Sequence, residues 1–234
     1  MIQRIIEDID QLKIGILGFR GNCFVLALEK YGIEYTFLRN LDEITDKFDF
    51  VVESGLYDII PEKYLSIPKY GVIGIHESPM PEGKGHAPLQ WAVLNNRPNL
   101  TVSLYRLSAK VDAGELKLED LTAEDRQVIM DIRNQNVEIS RLDTYTELEE
   151  KRQSGIQECF SKFLEELDKG VLVLREQHGA SSYHKKRTPA DSCLDSTQSL
   201  DSLWDNIRIC DNQYYPAHFY VDGKKIILKY EVEK

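Results

Sequence analysis

Apolar residues recur along the chain in two periods. Isoleucines at 2, 5, 6 and 9 fall at helical spacing, so residues 1–12 read as an amphipathic helical lead-in. The run 13–17 (KIGIL) is short and continuously apolar, the pattern of a strand covered on both faces, and Gly18 ends it. Residues 23–31 read as a helix stopped by Gly32, and 34–38 as an extended segment. Two more buried runs follow at 48–52 and 71–75. Strands alternating with helices predict an α/β fold: a Rossmann-like, mostly parallel sheet with flanking helices.

The second half is more polar. Pro79, Pro81, Gly83 and Gly85 punctuate residues 77–85, which must therefore be a loop. Residues 87–95 are helical, and 101–107 alternate as a strand. The stretch 116–140 is highly charged and reads as a helical, solvated excursion. A long amphipathic helix covers 144–170, with Leu148, Ile156, Phe160, Phe163 and Leu164 on one side. Residues 177–195 read as a polar loop and 199–210 as a short helix. The Asp222-Gly223 pair between 217–221 and 225–230 predicts a small C-terminal β-hairpin. The expected division is a Rossmann-like domain over 1–180 and a helix-and-hairpin extension over 181–234.

Composition narrows the function. The 234 residues are 42% apolar, enough for a core. Lys and Arg total 29 against 39 Asp and Glu, a net charge of −10. No basic excess exists to displace the counterions of nucleic acid, so a polynucleotide partner is not expected. No apolar run approaches the ~18 residues that span a bilayer, and the N-terminus has no secretory pattern. A cytoplasmic protein without a membrane partner is the expectation. Cys23, Cys159, Cys193 and Cys210 are scattered and form no CxxC pair, so no metal site or disulfide is expected.

The densest cluster of unusual residues is GVIGIHESPMPEGKGHAPLQWAVLN, residues 71–95. His76 ends a buried strand and opens the Pro/Gly loop, and in open α/β sheets that carboxyl end is where ligands bind. Asp112 follows another strand. Two adjacent parallel strands would bring these ends together, with the carboxylate orienting and charging the imidazole. Arg20 and the 18–22 turn suit a phosphate at a helix N-terminus, or form only a tight strand-to-helix turn. No GxGxxG fingerprint is present, which argues against a nicotinamide cofactor. Tyr214, Tyr215 and His218 can cover a sugar or base, or simply pack.

Taken together, these residues resemble the folate-dependent formyltransferases. Those proteins carry Asn-x-His at a strand end, a Leu-Pro-x-x-x-Gly loop, an Ala-Pro pair before a helix, and later an Asp-x-Gly. His76, Pro81, Gly85, Ala87-Pro88 and Asp112-Ala113-Gly114 fall in register without a gap. Residues 55–71 resemble the segment before the catalytic strand. Residues 186–228 resemble the C-terminal signature, most of all that of sugar-nucleotide N-formyltransferases. The resemblance implies 10-formyltetrahydrofolate as cosubstrate and a primary amine on a small molecule, such as a nucleotide-linked amino sugar, as acceptor. It implies His76 and Asp112 as catalytic residues. Folate contacts are implied at Tyr57, Asp58, Ile59, Ile60, Arg106, Lys110 and Val111. Acceptor contacts are expected at Arg20, Gly21, Asn22, Lys84, His86 and Tyr215. Transfer to tRNA is disfavoured by the charge and by the lack of length for a second domain, and a homodimer is compatible with the reading. One departure matters: the family's Asn falls on Gly74. Losing one oxyanion donor costs on the order of 3 kcal/mol, a hundredfold or more in rate. Another group substitutes, a water fills the space, or the chain is an impaired, formyltransferase-like binding module.

Overall fold

A computed structural model describes residues 8–56, 59–107, 133–169, 177 and 179–233. The elements run β1 (Lys13–Leu17), α1 (Asn22–Lys30), β2 (Glu34–Phe37), β3 (Phe50–Glu53), α2 (Glu62–Leu65), β4 (Val72–His76) and β5 (Lys84–Gly85). They continue with α3 (Pro88–Leu94), β6 (Asn99–Arg106), β7 (Arg133–Glu138), α4 (Tyr145–Asp168), β8 (Tyr183–His184), α5 (Leu200–Arg208), β9 (Ala217–Val221) and β10 (Lys224–Leu228). The main sheet has six strands in the order β2-β1-β3-β4-β6-β7. Its first four are mutually parallel. The expected α/β architecture and C-terminal hairpin are both present.

The direction of β6 differs from expectation. It runs antiparallel to β4, with Ile73 opposite Arg106 and His76 opposite Ser103. A parallel return needs a crossover long enough to carry the chain back along the sheet. Here α3 has seven residues, about 10 Å of helix, and the rest of the connection is the Pro/Gly loop. The chain therefore re-enters the sheet from the carboxyl end of β4. The end of β6 consequently lies beside the start of β4, and Leu107 N–H donates to the Val72 carbonyl.

Other segments also depart from the sequence reading. Within the supposed helical excursion 116–140, Arg133–Glu138 is an edge strand antiparallel to β6. Half-buried Gln135, Val137 and Ile139 alternate with exposed Asn136, Glu138 and Ser140, so one face suffices to hold it. Residues 116–132 of that stretch lie outside the described residues. Of the 1–12 lead-in, Ile9–Gln11 form a single 3-10 turn, and residues 1–7 are likewise outside. The polar 177–195 segment contains β8, which pairs in parallel with β5 inside the Pro/Gly loop. Gly83 N–H donates to Ser182 Oγ at 2.9 Å and Lys84 N–H to the Ser182 carbonyl at 2.9 Å, so this clip joins segments about a hundred positions apart.

Helices α1 and α4 cover one sheet face. Phe24 and Phe160 pack at 4.7 Å between ring centroids, and Phe50 meets Phe163 edge-on at 5.8 Å. A capping box of Thr144 and Glu147 starts α4. The other face packs Val51, Val72, Phe48, Leu38 and Leu65. The hairpin is tied in through Tyr230, whose hydroxyl accepts from Tyr145 N–H at 3.0 Å and donates to the Arg208 carbonyl at 2.7 Å. Among the described residues no helix is long and apolar enough to cross a membrane.

Helix α4 lies close against the sheet at Gly155, where a Cβ would stand 2.6 Å from Val137 Cγ2 and 3.0 Å from Val102 Cγ2. Gly155→Val forces helix and sheet apart and is expected to cost about 1–3 kcal/mol. The shift in urea midpoint at unchanged m-value measures it.

Candidate active site

A cavity of about 670 Å³ opens at the carboxyl ends of β1, β3 and β4. Parallel strands leave their carbonyl ends and following loops on one edge, where chain segments diverge and leave room. Phe19 and Arg20 reach it after β1, Glu53 and Gly55 from β3, and His76 and Glu77 from β4. The start of α3, helix α4 and the segments around 186–192 and 209–215 close the remaining sides.

His76 and Glu77 are 8% and 7% exposed, so both are polar groups held in a largely dry wall. His76 Nε2 lies 3.0 Å from the Gly83 carbonyl. A carbonyl only accepts, so the contact requires a proton on Nε2. The Pro/Gly loop, clipped by β8, thereby fixes the imidazole plane. Directly across the sheet from His76, Ser103 donates its hydroxyl to the Ser78 carbonyl at 2.5 Å, which pins the start of the same loop.

Beside the histidine runs a row of alternating charges. Arg152, from α4, is 5% exposed and lies 3.9 Å from Glu77 and in contact with Glu149; Glu149 also faces Arg20 at 3.6 Å. Burial disfavours the charge on Arg152, yet Glu77 and Glu149 outweigh it and hold the guanidinium above its ordinary range. Tyr145, on the same helix, is pushed up by burial and then by Glu149, so its hydroxyl stays protonated. Around Ile60, Leu65 and Leu107 the wall is apolar; Lys186 and Arg187 lie toward half-open surface with exposed Tyr215.

Of the residues expected from sequence, Arg20, Ile59, Ile60, His76, His86 and Tyr215 all line this cavity. Gly21, Asn22, Lys84 and Arg106 are not on its wall. The N–H groups of Arg20 and Gly21 are already spent on the Ser54 and Gly18 carbonyls, so the 18–22 turn is a strand-to-helix corner. Lys84 is buried in β5 with its Nζ 5.8 Å from the Tyr183 ring centroid. Arg106 lies against Gly71, at the far end of β4 from His76. Asp112, Tyr57, Asp58, Lys110 and Val111 fall outside the described residues. The antiparallel β6 removes the argument that parallel strand ends bring Asp112 to His76. Sequence reasoning missed Arg152. The available signal was its place at i+4 from Leu148 and i−4 from Ile156, a charge in the middle of an apolar stripe.

With this geometry in hand, the relatives are informative. No family model matches the chain. It is 28% identical over 181 residues to a methionyl-tRNA formyltransferase of Thermotoga neapolitana, covering 77% of this chain and 53% of that protein. It is also 28% identical over 183 residues to the bifunctional polymyxin resistance protein ArnA of Wigglesworthia glossinidia brevipalpis, covering 78% and 26%. The chain thus spans about half the length, or less, of these curated relatives. Among solved structures, methionyl-tRNA formyltransferase from Clostridium thermocellum superposes with a TM-score of 0.72 over 95% of this chain and 94% of that one, at 19% identity. A 4-N formyltransferase from Francisella tularensis gives 0.67 over 95% and 98%, at 15% identity. The formyltransferase PseJ from Anoxybacillus kamchatkensis, solved with a UDP-linked formamido sugar and tetrahydrofolate, gives 0.58 over 74% and 85%, at 24% identity. In sequence and in fold, the chain is similar to formyltransferases.

Two expectations follow from the charges. Arg152→Met strands the buried Glu77 carboxylate in the wall, leaves Glu149 only Arg20, and should cost about 3–5 kcal/mol, read by chemical denaturation. His184 stacks on Trp91 at 5.4 Å, and burial, then His76 and Arg97, lower its pKa from the ordinary 6.5. The unfolded chain then binds the extra proton first, so stability falls as pH drops below the ordinary value. Urea midpoints measured between about pH 7.5 and about pH 5.5 should decline more steeply for wild type than for His184→Gln.

Proposed function

We propose that this chain is an N-formyltransferase that moves a formyl group from 10-formyltetrahydrofolate to a primary amine on a small molecule. The acceptor class favoured here is an amino sugar carried on a nucleotide. The single observation that carries the reading is His76: a buried, loop-oriented imidazole at the carboxyl end of β4, on the wall of a cavity with one apolar and one charged side.

The chemistry follows from that wall. The apolar side around Ile60, Leu65 and Leu107 suits a flat heterocycle, and the volume is that of a site for a ligand of cosubstrate size. The open side near Arg20, Lys186, Arg187 and Tyr215 suits a polar or phosphorylated acceptor. Attack of the amine on the formyl carbon puts negative charge on the formyl oxygen. The Nε2 proton of His76 is held by the Gly83 carbonyl, so in the charged imidazolium the Nδ1 proton donates a hydrogen bond to that oxygen, and the dry wall strengthens it. Asp112 is assigned, from the motif it stands in, to orient and charge the imidazole. The sugar acceptor is supported by fold relatives described as sugar N-formyltransferases, among them one from Shewanella sp. covering 96% of this chain and 99% of that one at 15% identity. Methionyl-tRNA formyltransferases are relatives too, but a net charge of −10 makes a polyanionic acceptor the weaker choice.

Tetrahydrofolate release on mixing the protein with 10-formyltetrahydrofolate and a panel of amines, nucleotide-linked amino sugars included, tests the reading. Wild type should turn over with at least one sugar amine. His76→Ala should lose about 10²–10⁴-fold in rate while still binding folate, and Asp112→Asn should lose activity in the same direction. Folate binding without turnover on any amine would identify a binding module instead. Equal rates in wild type and His76→Ala would refute the assignment of the histidine.

A further inference from the structure

Gly74 and Tyr105 are direct cross-strand partners in the β4–β6 pair. Their side-chain positions therefore share one sheet face, and His76, two residues along β4, lies on that same face. Position 74 has no side chain, and the Tyr105 ring lies across it. A Cβ at 74 would stand 3.2 Å from Tyr105 Cζ, the carbon that bears the hydroxyl, and 2.9 Å from Leu107 Cδ2. Tyr105 is 5% exposed and lines the same cavity as His76. As diagonal neighbours the two positions are about 7–8 Å apart at the backbone, within reach of one bound oxygen through their long side chains.

We propose that the Tyr105 hydroxyl is the second donor to the oxyanion, beside His76, taking the space that a side chain at position 74 would use. This rests on the formyl-transfer reading above and adds a catalytic residue to it. Ser103, opposite His76, gives its hydroxyl to the Ser78 carbonyl. Arg152 and Arg20 are ion-paired with Glu77 and Glu149, and each keeps an Nε–H without a hydrogen-bond partner.

In the step itself, the acceptor nitrogen forms a bond to the formyl carbon and the carbonyl π pair moves onto oxygen. The Tyr105 O–H and the His76 Nδ1–H donate hydrogen bonds to that oxygen, while His76 Nε2–H stays on the Gly83 carbonyl. When the pair returns and the carbonyl re-forms, the bond to the folate nitrogen breaks. Tetrahydrofolate leaves with the proton lost by the attacking nitrogen. Tyr105 keeps its own proton throughout, so it needs no general base.

Tyr105→Phe isolates the hydroxyl, because the ring that fills the space over Gly74 remains. The assay uses water as acceptor, so no amine need be known: formate release from 10-formyltetrahydrofolate is followed for wild type and variant. Affinity for 5-formyltetrahydrofolate and thermal stability are measured on the same samples. The expected result is a kcat lower by about 10²–10³, with KM and folate affinity within about twofold of wild type. An unchanged kcat overturns the proposal and leaves the formyl-transfer reading intact. Lower affinity or melting temperature at unchanged kcat overturns it too, in favour of a packing role. Folate binding by wild type without formate release also overturns it. A wild-type protein that does not bind folate overturns the formyl-transfer reading itself.

Discussion

The arrangement of the site depends on β4 having a partner on each edge. Val51, Val52 and Glu53 pair with Val72, Ile73 and Gly74 on one side, and Ile73 to His76 pair with Arg106 to Ser103 on the other. All five β4 residues are buried. A slip of one residue would turn His76 and Gly74 into the α1–α4 core and push Ile73 and Ile75 toward the cavity face. With both ladders and both faces opposing that slip, the place and face of residue 76 are set by the sheet. The loop then only has to hold the ring, through the Gly83 carbonyl.

Helix α4 serves two demands that usually conflict. Ile156, Phe160, Phe163, Leu164 and Leu167 bury an apolar face on the sheet. One turn before Ile156, the same stripe delivers Arg152 to the cavity wall. A lone guanidinium there would be costly to desolvate. Glu77 and Glu149 compensate it, and Arg20 extends the alternation. The wall is therefore strongly polar without a large net charge, which leaves the electrostatics at His76 to be set by short-range donors.

Much of this was legible in the sequence, for physical reasons that differ by element. Strands β1, β3 and β4 are continuous apolar runs because they are covered on both faces. The hairpin announced itself through Asp222-Gly223, since that pair accepts the backbone of a tight turn; Asp222 and Gly223 indeed have φ of 48° and 74°. His76 stood out because it closes a buried run and opens a Pro/Gly loop. The direction of β6 was not legible, because alternation of side chains is the same in parallel and antiparallel strands. β7 was missed because an edge strand needs only one covered face, and Gln135 and Val137 give little apolar signal. Arg152 and Tyr105 were missed because their roles depend on what stands across from them: Glu77 for one, and the bare backbone of Gly74 for the other.

The β5–β8 clip has a consequence for the order in which the molecule assembles. Ser182 holds Gly83 and Lys84, and its own N–H donates to the Pro81 carbonyl at 3.3 Å. Closing a loop of that span costs entropy before any contact rewards it, so such contacts form late on the folding route. The sheet and α4 can form while residues beyond 180 are still unfolded, but the loop that grips His76 cannot. A nascent or partly unfolded chain would then carry an imidazole already anchored in β4 and not yet oriented, and the site would become competent only when the last part of the chain docks.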